Sequence, residues 1–420
     1  MNRTKTRFGR VVGVLLLCLG GQSAQAAELA LADAVRQALA ANPAIAAQQA
    51  RAEALRQVPA QAGALPEPRL RLNATSLPLD SFSLGQTPMT QLQVGFSQAL
   101  PFPGKLALRE ESAQWEARAS LSQVDESEIR LAGAVKRQWW QLFYLDRAIE
   151  AVLRNQDLLR QFVAVAQTKY SVGQGLQQDV LLAQVELSRF EDQELSLRAM
   201  RRKAAARLNA LMGRAAETPV RLTAEVSREL PELQPTGEYL VLAEQHRPEL
   251  QALQYQLEAA RARVELADKD YYPDFNLGVV YGRRQDYVDL ATIQLSMNLP
   301  INTANRQDRA RDQRKQEWLQ KKYRLEDLRN RIAEQVEVAM ADYRRARKQT
   351  ELYDKSIIPQ ASQTVESMLA GYQVNKVDFL NLVRAQVTLF NYETQYWQAL
   401  SAANQALAAL EVAVGKEMTR

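Results

Sequence analysis

The amino-acid sequence predicts a mainly α-helical protein with a small β part, built from two tandem copies of one plan. Three observations lead to this prediction. Short motifs recur at one fixed separation, long stretches are free of proline and poor in glycine, and short segments between them alternate apolar and polar residues. The chain has 420 residues, 46% of them hydrophobic and 24% charged, which excludes a disordered or collagen-like protein.

The N-terminal residues 1–26 are predicted to be a secretory signal peptide. Four cations precede an apolar run and the small-residue motif Ala24 to Ala26. Cys18, the only cysteine, lies in this segment, so the mature chain is expected to have no disulfide and no cysteine metal ligand. A lipid anchor at Cys18 is the alternative, but Leu17 stands where such a cleavage site needs a small residue. Without the segment the formal net charge falls from +5 to +1, which argues against a nucleic-acid partner.

Motifs that keep one register indicate the two copies. The segment starting at Tyr170 matches that at Tyr372, and the triplet starting at Ala183 matches that at Ala385, both at a separation of 202 residues. Between the copies, prolines in polar surroundings predict a connector with little regular structure. The predicted units are a signal peptide, a first repeat, a connector and a second repeat, over residues 1–26, 27–214, 215–237 and 238–420.

Each copy is predicted to contain a long helical rod. In the first copy, no proline occurs between Pro103 and Pro219. A helix from Pro103 to Tyr170 would be on the order of 100 Å long, which does not suit a compact globule. The second copy repeats the design over residues 302–370, with Pro359 as its only proline. The first rod carries the 3,4 spacing of a coiled-coil seam at Leu142, Leu145, Ile149, Val152, Gln156, Leu159 and Val163.

Four short segments with alternating apolar residues are predicted to be strands, arranged as one hairpin in each copy. At about 10 residues each, they have the length that crosses a bilayer at a tilt. Four strands cannot close a membrane barrel, so membrane insertion would require oligomerisation. The alternative is a soluble pair of hairpins that packs on its own helices. The apolar positions are Leu70, Leu72, Leu92, Val94 and Phe96, then Phe275, Leu277, Val279, Tyr281, Ile293, Leu295, Met297 and Leu299.

In this order, the features resemble those of the TolC-like outer-membrane efflux proteins over nearly the whole mature chain. The resemblance rests on the duplicated plan of helix, hairpin and helix, on the tip motifs at Tyr170 and Tyr372, on the stretch from Ile358 to Ala361, and on a Leu-(x)4-Gly motif that closes both copies. The segment from Leu100 to Lys105 is similar to one common in the heavy-metal branch of that family. Metal ions and drugs both remain open as cargo.

The resemblance implies a homotrimer in which each protomer contributes four strands to a 12-stranded outer-membrane β-barrel, continued by a periplasmic α-helical barrel. It further implies a passive export channel of a tripartite efflux system, which sits in outer-membrane lipid and extends into the periplasm. The implied partners are a periplasmic adaptor protein and an inner-membrane pump of the RND or another type. No cofactor and no nucleic acid are implied.

The resemblance also assigns roles to the turns at the far ends of the rods. Val172, Gly173 and Gly175 in the first turn, with Val374 and Asn375 in the second, would dock the adaptor. The structural alternative is helix punctuation, because glycine and asparagine tolerate the positive φ of a tight reversal.

A gate at the pore mouth is a further implication of the resemblance. Asp179 and Tyr372 match an acid and a tyrosine that bond across neighbouring helix pairs in the family. An ordinary solvated position on a helix is the alternative for Asp179. Asn381 and Arg384 stand where some drug-type members place two acids that face the pore, so a weaker attraction for cations is expected at this mouth.

Aromatic residues stand at the predicted helix-to-strand junctions. Phe102, Tyr271 and Tyr272 would lie at the depth of the membrane–water interface, where aromatic rings are favoured. Ordinary packing explains them as well.

No catalytic or metal site is predicted, and the protein is not expected to be an enzyme. The single histidine, His246, has no second type of metal ligand nearby, and the sequence holds neither a G-x-S-x-G motif nor a P-loop. Two alternatives to the export channel stay open. One is a soluble periplasmic coiled-coil scaffold, and the other is a periplasmic hydrolase with a deep polar pocket.

Overall fold

The computed structural model describes residues 28–224, 226–374 and 376–417. The predicted signal peptide and the predicted tip residue Asn375 lie outside these ranges. The first half of the described chain consists of α1 (Leu31–Ala41), α2 (Pro43–Arg56), α3 (Val58–Gly63), β1 (Arg69–Thr75), β2 (Gln91–Leu100), α4 (Lys105–Ser171) and α5 (Gln177–Leu211). The second half consists of α6 (Thr236–His246), α7 (Pro248–Lys269), β3 (Phe275–Arg283), β4 (Leu290–Met297), α8 (Gln307–Leu352), α9 (Ile358–Gln373) and α10 (Phe379–Val414).

The predicted fold class is confirmed: long helices dominate, and one small antiparallel sheet joins the two halves. Each half runs through short helices, a hairpin, a long outgoing rod and a long returning helix. The chain between α5 and α6 contains no regular element among its described residues except a bridge from Leu222 to Leu29.

The rod of the first half is one uninterrupted helix. α4 has 67 residues, which corresponds to about 100 Å. It begins two residues later than predicted, because Gly104 adopts a left-handed conformation (φ 92°) at the N-cap and turns the chain out of β2.

The rod of the second half contains a feature that the sequence did not predict. α8 and α9 are joined by a π-helical turn over Tyr353–Ile357, and Pro359 follows in the first turn of α9. Proline has no N–H to donate and its ring crowds the preceding turn. The wider π turn accommodates this within a continuous rod.

The predicted coiled-coil seam forms the core between α4, α5 and α10. Its members Leu142, Leu145, Val152, Gln156 and Leu159 are at most 2% exposed. A cluster of aromatic rings extends the seam toward the sheet end of the rod, where the buried Trp139 and Trp140 and the partly buried Trp397 surround Phe143. The tryptophans therefore fill space between helices.

The sheet has strand order β1-β2-β3-β4, and the central pairing of β2 with β3 joins the two halves. Its register places the predicted apolar residues on one face: Phe96 lies opposite Leu70 on one side and Val279 on the other, and Val279 lies opposite Ile293. This face is bare of other parts of the chain, with Leu72 72% and Ile293 78% exposed. The opposite face is mostly polar and carries Arg69, Arg71, Asn73, Gln91, Gln93, Ser97, Thr292 and Gln294.

Within the described ranges, the outer edges of the sheet are unpaired. β1 pairs only with β2, and β4 pairs only with β3. These edge strands have 7 and 8 residues, fewer than the predicted 10, whereas β2 has 10 and β3 has 9. The described helices include none that is both long and apolar enough to span a membrane.

Candidate functional site

The two long rods end in turns that are closed by equivalent backbone hydrogen bonds. After α4, the N–H of Gln174 donates to the carbonyl of Lys169 at 2.8 Å, and Gly173 takes a left-handed conformation (φ 72°). After α9, the N–H of Lys376 donates to the carbonyl of Gly371, also at 2.8 Å. In each turn, this capping bond satisfies a carbonyl that would otherwise lack a partner at the helix end. The equivalent bonds are 202 residues apart, the separation seen in the sequence.

The turns present apolar side chains to the surroundings. Val172 and Val374, both predicted docking residues, are each 62% exposed, and Leu176 beside them is also exposed. Gly175 lies against the stem of Lys169, where a Cβ atom would come within 2.9 Å of the lysine Cβ. Exposed apolar groups concentrated at the end of a rod are typical of a protein interaction site.

Tyr372, predicted to belong to a gate, is buried just inside the second turn. Its ring packs on that of Phe379 in α10 at a centroid distance of 5.1 Å, and Phe379 in turn contacts Phe162 of α4. Residues from three helices thus enclose a side chain that is only 5% exposed.

Asp179 lies near Tyr372 but does not bond to its hydroxyl. Burial, and then the charges of Asp179 and Asp378, raise the pKa of Tyr372. Among the described residues, the tyrosine hydroxyl has no hydrogen-bond partner. The structure therefore brings the predicted gate pair together without the hydrogen bond that the resemblance implied.

Asp179 lies in the first turn of α5, where its N–H donates to the carbonyl of Leu176, the residue that precedes the helix, at 3.1 Å. The backbone of Leu176 also favours the charged form of its carboxylate. An acid in the first turn interacts favourably with the helix dipole. Burial raises the pKa of Asp179, the nearby Asp378 adds to the rise, and the Leu176 bond and the charge of Lys169 oppose it.

Lys169, which the sequence analysis did not single out, holds Tyr372 directly. Its ammonium donates to the Tyr372 carbonyl at 2.6 Å and lies 4.2 Å from the centroid of the tyrosine ring. The sequence did offer a signal. Gly371 is the residue of the second copy that is equivalent to Lys169, so the two copies differ at this position.

Asn381 and Arg384, the other predicted gate residues, are exposed in the first turns of α10. Three residues apart, they share one helix face. No described residue group of three or more histidine, cysteine, aspartate or glutamate side chains is arranged to hold a metal ion.

At the other end of the rods, the predicted interface aromatics separate into two arrangements. Phe102 and Tyr272 stack with ring centroids 4.5 Å apart. The hydroxyl of Tyr271 instead donates to Asp308 at the start of α8. The stacked pair joins the two halves at the point where the first passes from β2 into α4 and the second passes from α7 into β3.

A buried lysine, also missed in the sequence analysis, reinforces this junction. Lys105 is 3% exposed and its ammonium contacts Asp274 at 2.9 Å and Asp270 at 3.1 Å. Asp274 also accepts the N–H of Phe102 at 2.8 Å. The lysine comes from the Leu100–Lys105 segment, so that segment fixes the sheet to the helices.

A polar cavity of about 680 Å³ lies between α4, α7 and α8. Its acidic groups are engaged in ion pairs: Glu126 with the buried Arg247 at 2.8 Å, and Glu249 with Arg130 at 2.7 Å. These carboxylates therefore bind arginines of their own chain.

Comparison with known proteins gives consistent matches. A family model described as outer membrane efflux protein matches residues 34–214 and 239–416. The cobalt-zinc-cadmium resistance protein CzcC of Cupriavidus metallidurans is 24% identical over 367 residues, which cover 85% of this chain and 82% of CzcC.

Solved structures show the same fold at low sequence identity. The outer membrane protein VceC of Vibrio cholerae has a TM-score of 0.78 at 18% identity, covering 92% of this chain and 96% of its own. The MtrE outer membrane channel of Neisseria gonorrhoeae, solved in an open state, has a TM-score of 0.77 at 18% identity, covering 92% and 89%. Because the family model matches most of both halves, the chain belongs to the outer membrane efflux protein family, whose members are trimeric outer-membrane channels that work with adaptor proteins and inner-membrane pumps.

Proposed function

We propose that three copies of this chain form a passive export duct that takes substrates from a specific periplasmic adaptor and inner-membrane pump to the cell exterior. The observation that carries the proposal is the sheet, whose apolar face is exposed and whose two edges are unpaired. Residues such as Leu72 and Ile293 would be costly to leave in water, and open edges are not tolerated in lipid.

Trimer formation resolves both problems at once. When β4 of one copy pairs with β1 of the next, every strand edge is closed and the apolar face turns outward to lipid. The polar face, with Arg71 and Gln93, then lines a water-filled lumen. The rods continue this duct away from the membrane for about 100 Å, which suits a span across the periplasm.

The other parts of the chain have the following roles in this proposal. Residues 1–26 direct secretion and are removed, the repeats over 27–214 and 238–420 each supply one hairpin and one pair of long helices, and the connector over 215–237 joins them. The exposed turns at Val172 and Val374 dock the adaptor. The stacked Phe102 and Tyr272 mark the periplasmic membrane interface.

Metal ions are the cargo class to test first. The relative with 85% coverage of this chain is named a cobalt-zinc-cadmium resistance protein. The Leu100–Lys105 segment, similar to the heavy-metal branch, holds its buried lysine in a specific contact with Asp274. Drug export is the second cargo class, and deletion of the gene tests both by comparing tolerance of metal salts with tolerance of drugs.

Cell fractionation and planar bilayers test the duct itself. The protein should fractionate with the outer membrane as a detergent-stable trimer and conduct ions. A soluble monomer that does not bind lipid would support the periplasmic scaffold instead. Hydrolysis of a substrate by that soluble species would support the hydrolase.

We further propose that Asp179 belongs to the closed mouth of the duct. Asp179→Ala removes a buried carboxylate from the first turn of α5 and should raise the conductance of the reconstituted trimer. Asp179→Asn keeps an oxygen acceptor and should conduct less than the alanine variant. The exposed Asp192 on the same helix provides the control, because Asp192→Ala removes an equal charge away from the mouth. Unchanged conductance of Asp179→Ala would remove Asp179 from the gate.

A further inference from the structure

Tyr372 is held through its ring and its backbone carbonyl rather than through its hydroxyl. The hydroxyl has no partner among the described residues, whereas the ring and the backbone carbonyl of the same residue are both engaged by Lys169. The tyrosine is therefore held from the side of its backbone and its ring face. What holds it is a residue of α4, the rod of the first half.

The Tyr372 carbonyl is a site where a cation is favoured. It lies in the last turn of α9, which ends at Gln373, where a carbonyl has no i+4 partner within the helix and accepts only the N–H of the C-cap residue Val374 from its own segment. A lysine ammonium at a helix C-terminus satisfies such a carbonyl and interacts favourably with the helix dipole. Lys169 thus acts as a cap for α9 that comes from another helix.

The ring of Tyr372 makes a second contact with the ammonium of Lys169. A cation over the face of a tyrosine is attracted by the ring quadrupole, and the attraction grows when the pair is removed from water. Phe379 packs on the ring of Tyr372 as well, at 5.1 Å between centroids. The tyrosine is thereby enclosed by Lys169 from α4 and by Phe379 from α10.

We propose that Lys169 is a positioning residue of the periplasmic mouth, a latch that ties α4 to the end of α9 through the carbonyl and ring of Tyr372, independently of the tyrosine hydroxyl. The proposal rests on the proposed export duct, and it names a device that regulates the opening of that duct. Any widening of the mouth that separates α9 from α4 must break the two contacts between Lys169 and Tyr372. The latch spans the two halves of the chain, so it resists movement of one helix pair relative to the other.

The test compares full-length trimers in planar bilayers. Lys169→Met keeps the aliphatic stem and removes the cation, and should raise the closed-state conductance about tenfold or more, since a charge-assisted hydrogen bond and a cation–π contact are lost together. Lys169→Arg retains a cation and a donor and should restore closure. Tyr372→Phe keeps the ring and the carbonyl and should remain closed. Lys203→Met removes an equal charge from an exposed position on α5 and should behave as wild type.

Two results would overturn the latch. One is wild-type conductance of Lys169→Met. The other is an opening of Tyr372→Phe as large as that of Lys169→Met, because closure would then depend on the hydroxyl.

Hydrogen exchange separates a failed latch from a failed duct. If the wild-type protein forms no conducting trimer, the duct proposal fails, and the latch is judged on the purified protein alone. Lys169→Met should then speed amide exchange about tenfold over residues 366–373, while Lys169→Arg and Lys203→Met should not. Equal exchange in all variants would overturn the latch even if the duct conducts.

Discussion

The two rod tips share an equivalent backbone hydrogen bond and differ in how far they bury their tyrosines. Tyr170 and Tyr372 occupy equivalent positions, 202 residues apart, each in the last turn before its reversal. Tyr170 is 50% exposed, whereas Tyr372 is 5% exposed and contacts Lys169 and Phe379. The duplicated sequence thus preserves the shape of the turn, while burial concentrates at one tip only.

In each turn, one large and one small residue pack against each other. The two tips place them in the opposite order along the chain. At the first tip, a large Lys169 lies against a small Gly175. At the second tip, the equivalent positions are a small Gly371 and a large Val377, which lie against each other in the same way. Because of this exchange, only the first tip has a lysine at this position, and its side chain reaches the tyrosine of the second tip.

The largest expected effect comes from truncating the two tyrosines. Tyr372→Ala removes a buried ring and should lower the local free energy of opening by about 3–5 kcal/mol. Tyr170→Ala changes a half-exposed ring and should stay within about 0.5 kcal/mol. Amide hydrogen exchange in α9 and α10 measures both. Equal effects of the two variants would show that the tips are equivalent in energy, contrary to the difference in burial.

The comparison also shows how far the sequence determines this structure. The seam around Leu142 and the alternating strand residues around Phe96 were predictable, because each buries or exposes one face at a regular period. The hairpin pairing followed from the duplication. The turn geometry at Gly173 followed from the residue types that tolerate a positive φ.

The contacts that define the mouth were not predictable in this way. Lys169 carries no apolar pattern, and a lysine on a helix is most often solvated. Its partner is a backbone carbonyl, which every residue possesses, so composition cannot reveal the pair. The buried Lys105 escaped prediction for the same reason, since its acids Asp270 and Asp274 belong to the other half of the chain. The π turn before Pro359 likewise depends on how the whole rod continues.

A smaller effect is expected from reversing the size exchange at the second tip. Gly371→Val would place a Cβ atom 2.5 Å from a methyl carbon of Val377, and overpacking of this kind costs about 1–3 kcal/mol. The double variant Gly371→Val with Val377→Gly should recover much of that loss, because it copies the size order of the first tip. Gly237→Val, where a Cβ meets open space, is the control. Thermal denaturation of the detergent-solubilised protein measures all three, and a double variant no better than the single one would contradict the exchange.

The smallest expected effect is a difference in pH response between Asp179 and Asn381, the equivalent residue of the second copy. The folded pKa of Asp179 is raised above its ordinary 3.8 by burial and by Asp378, although the Leu176 bond and Lys169 oppose the rise. A raised carboxyl pKa means that the group's contribution to stability is full below the ordinary value and is lost as the pH rises through the folded value. Closure of the mouth should therefore weaken slightly from about pH 4 to mildly acidic pH.

Asp179→Asn should remove this pH step, because the amide keeps an acceptor for Leu176 but does not titrate, and it makes the first tip like the second, where Asn381 stands. The measurement is the closed-state conductance of wild type, Asp179→Asn and the exposed Asp192→Asn control across that pH range. Asp192→Asn should keep the step, since its position is exposed. A step that persists in Asp179→Asn would show that Asp179 is not its source. In that event the two tips would differ in packing alone, and the charge at Asp179 would have no part in closing the mouth.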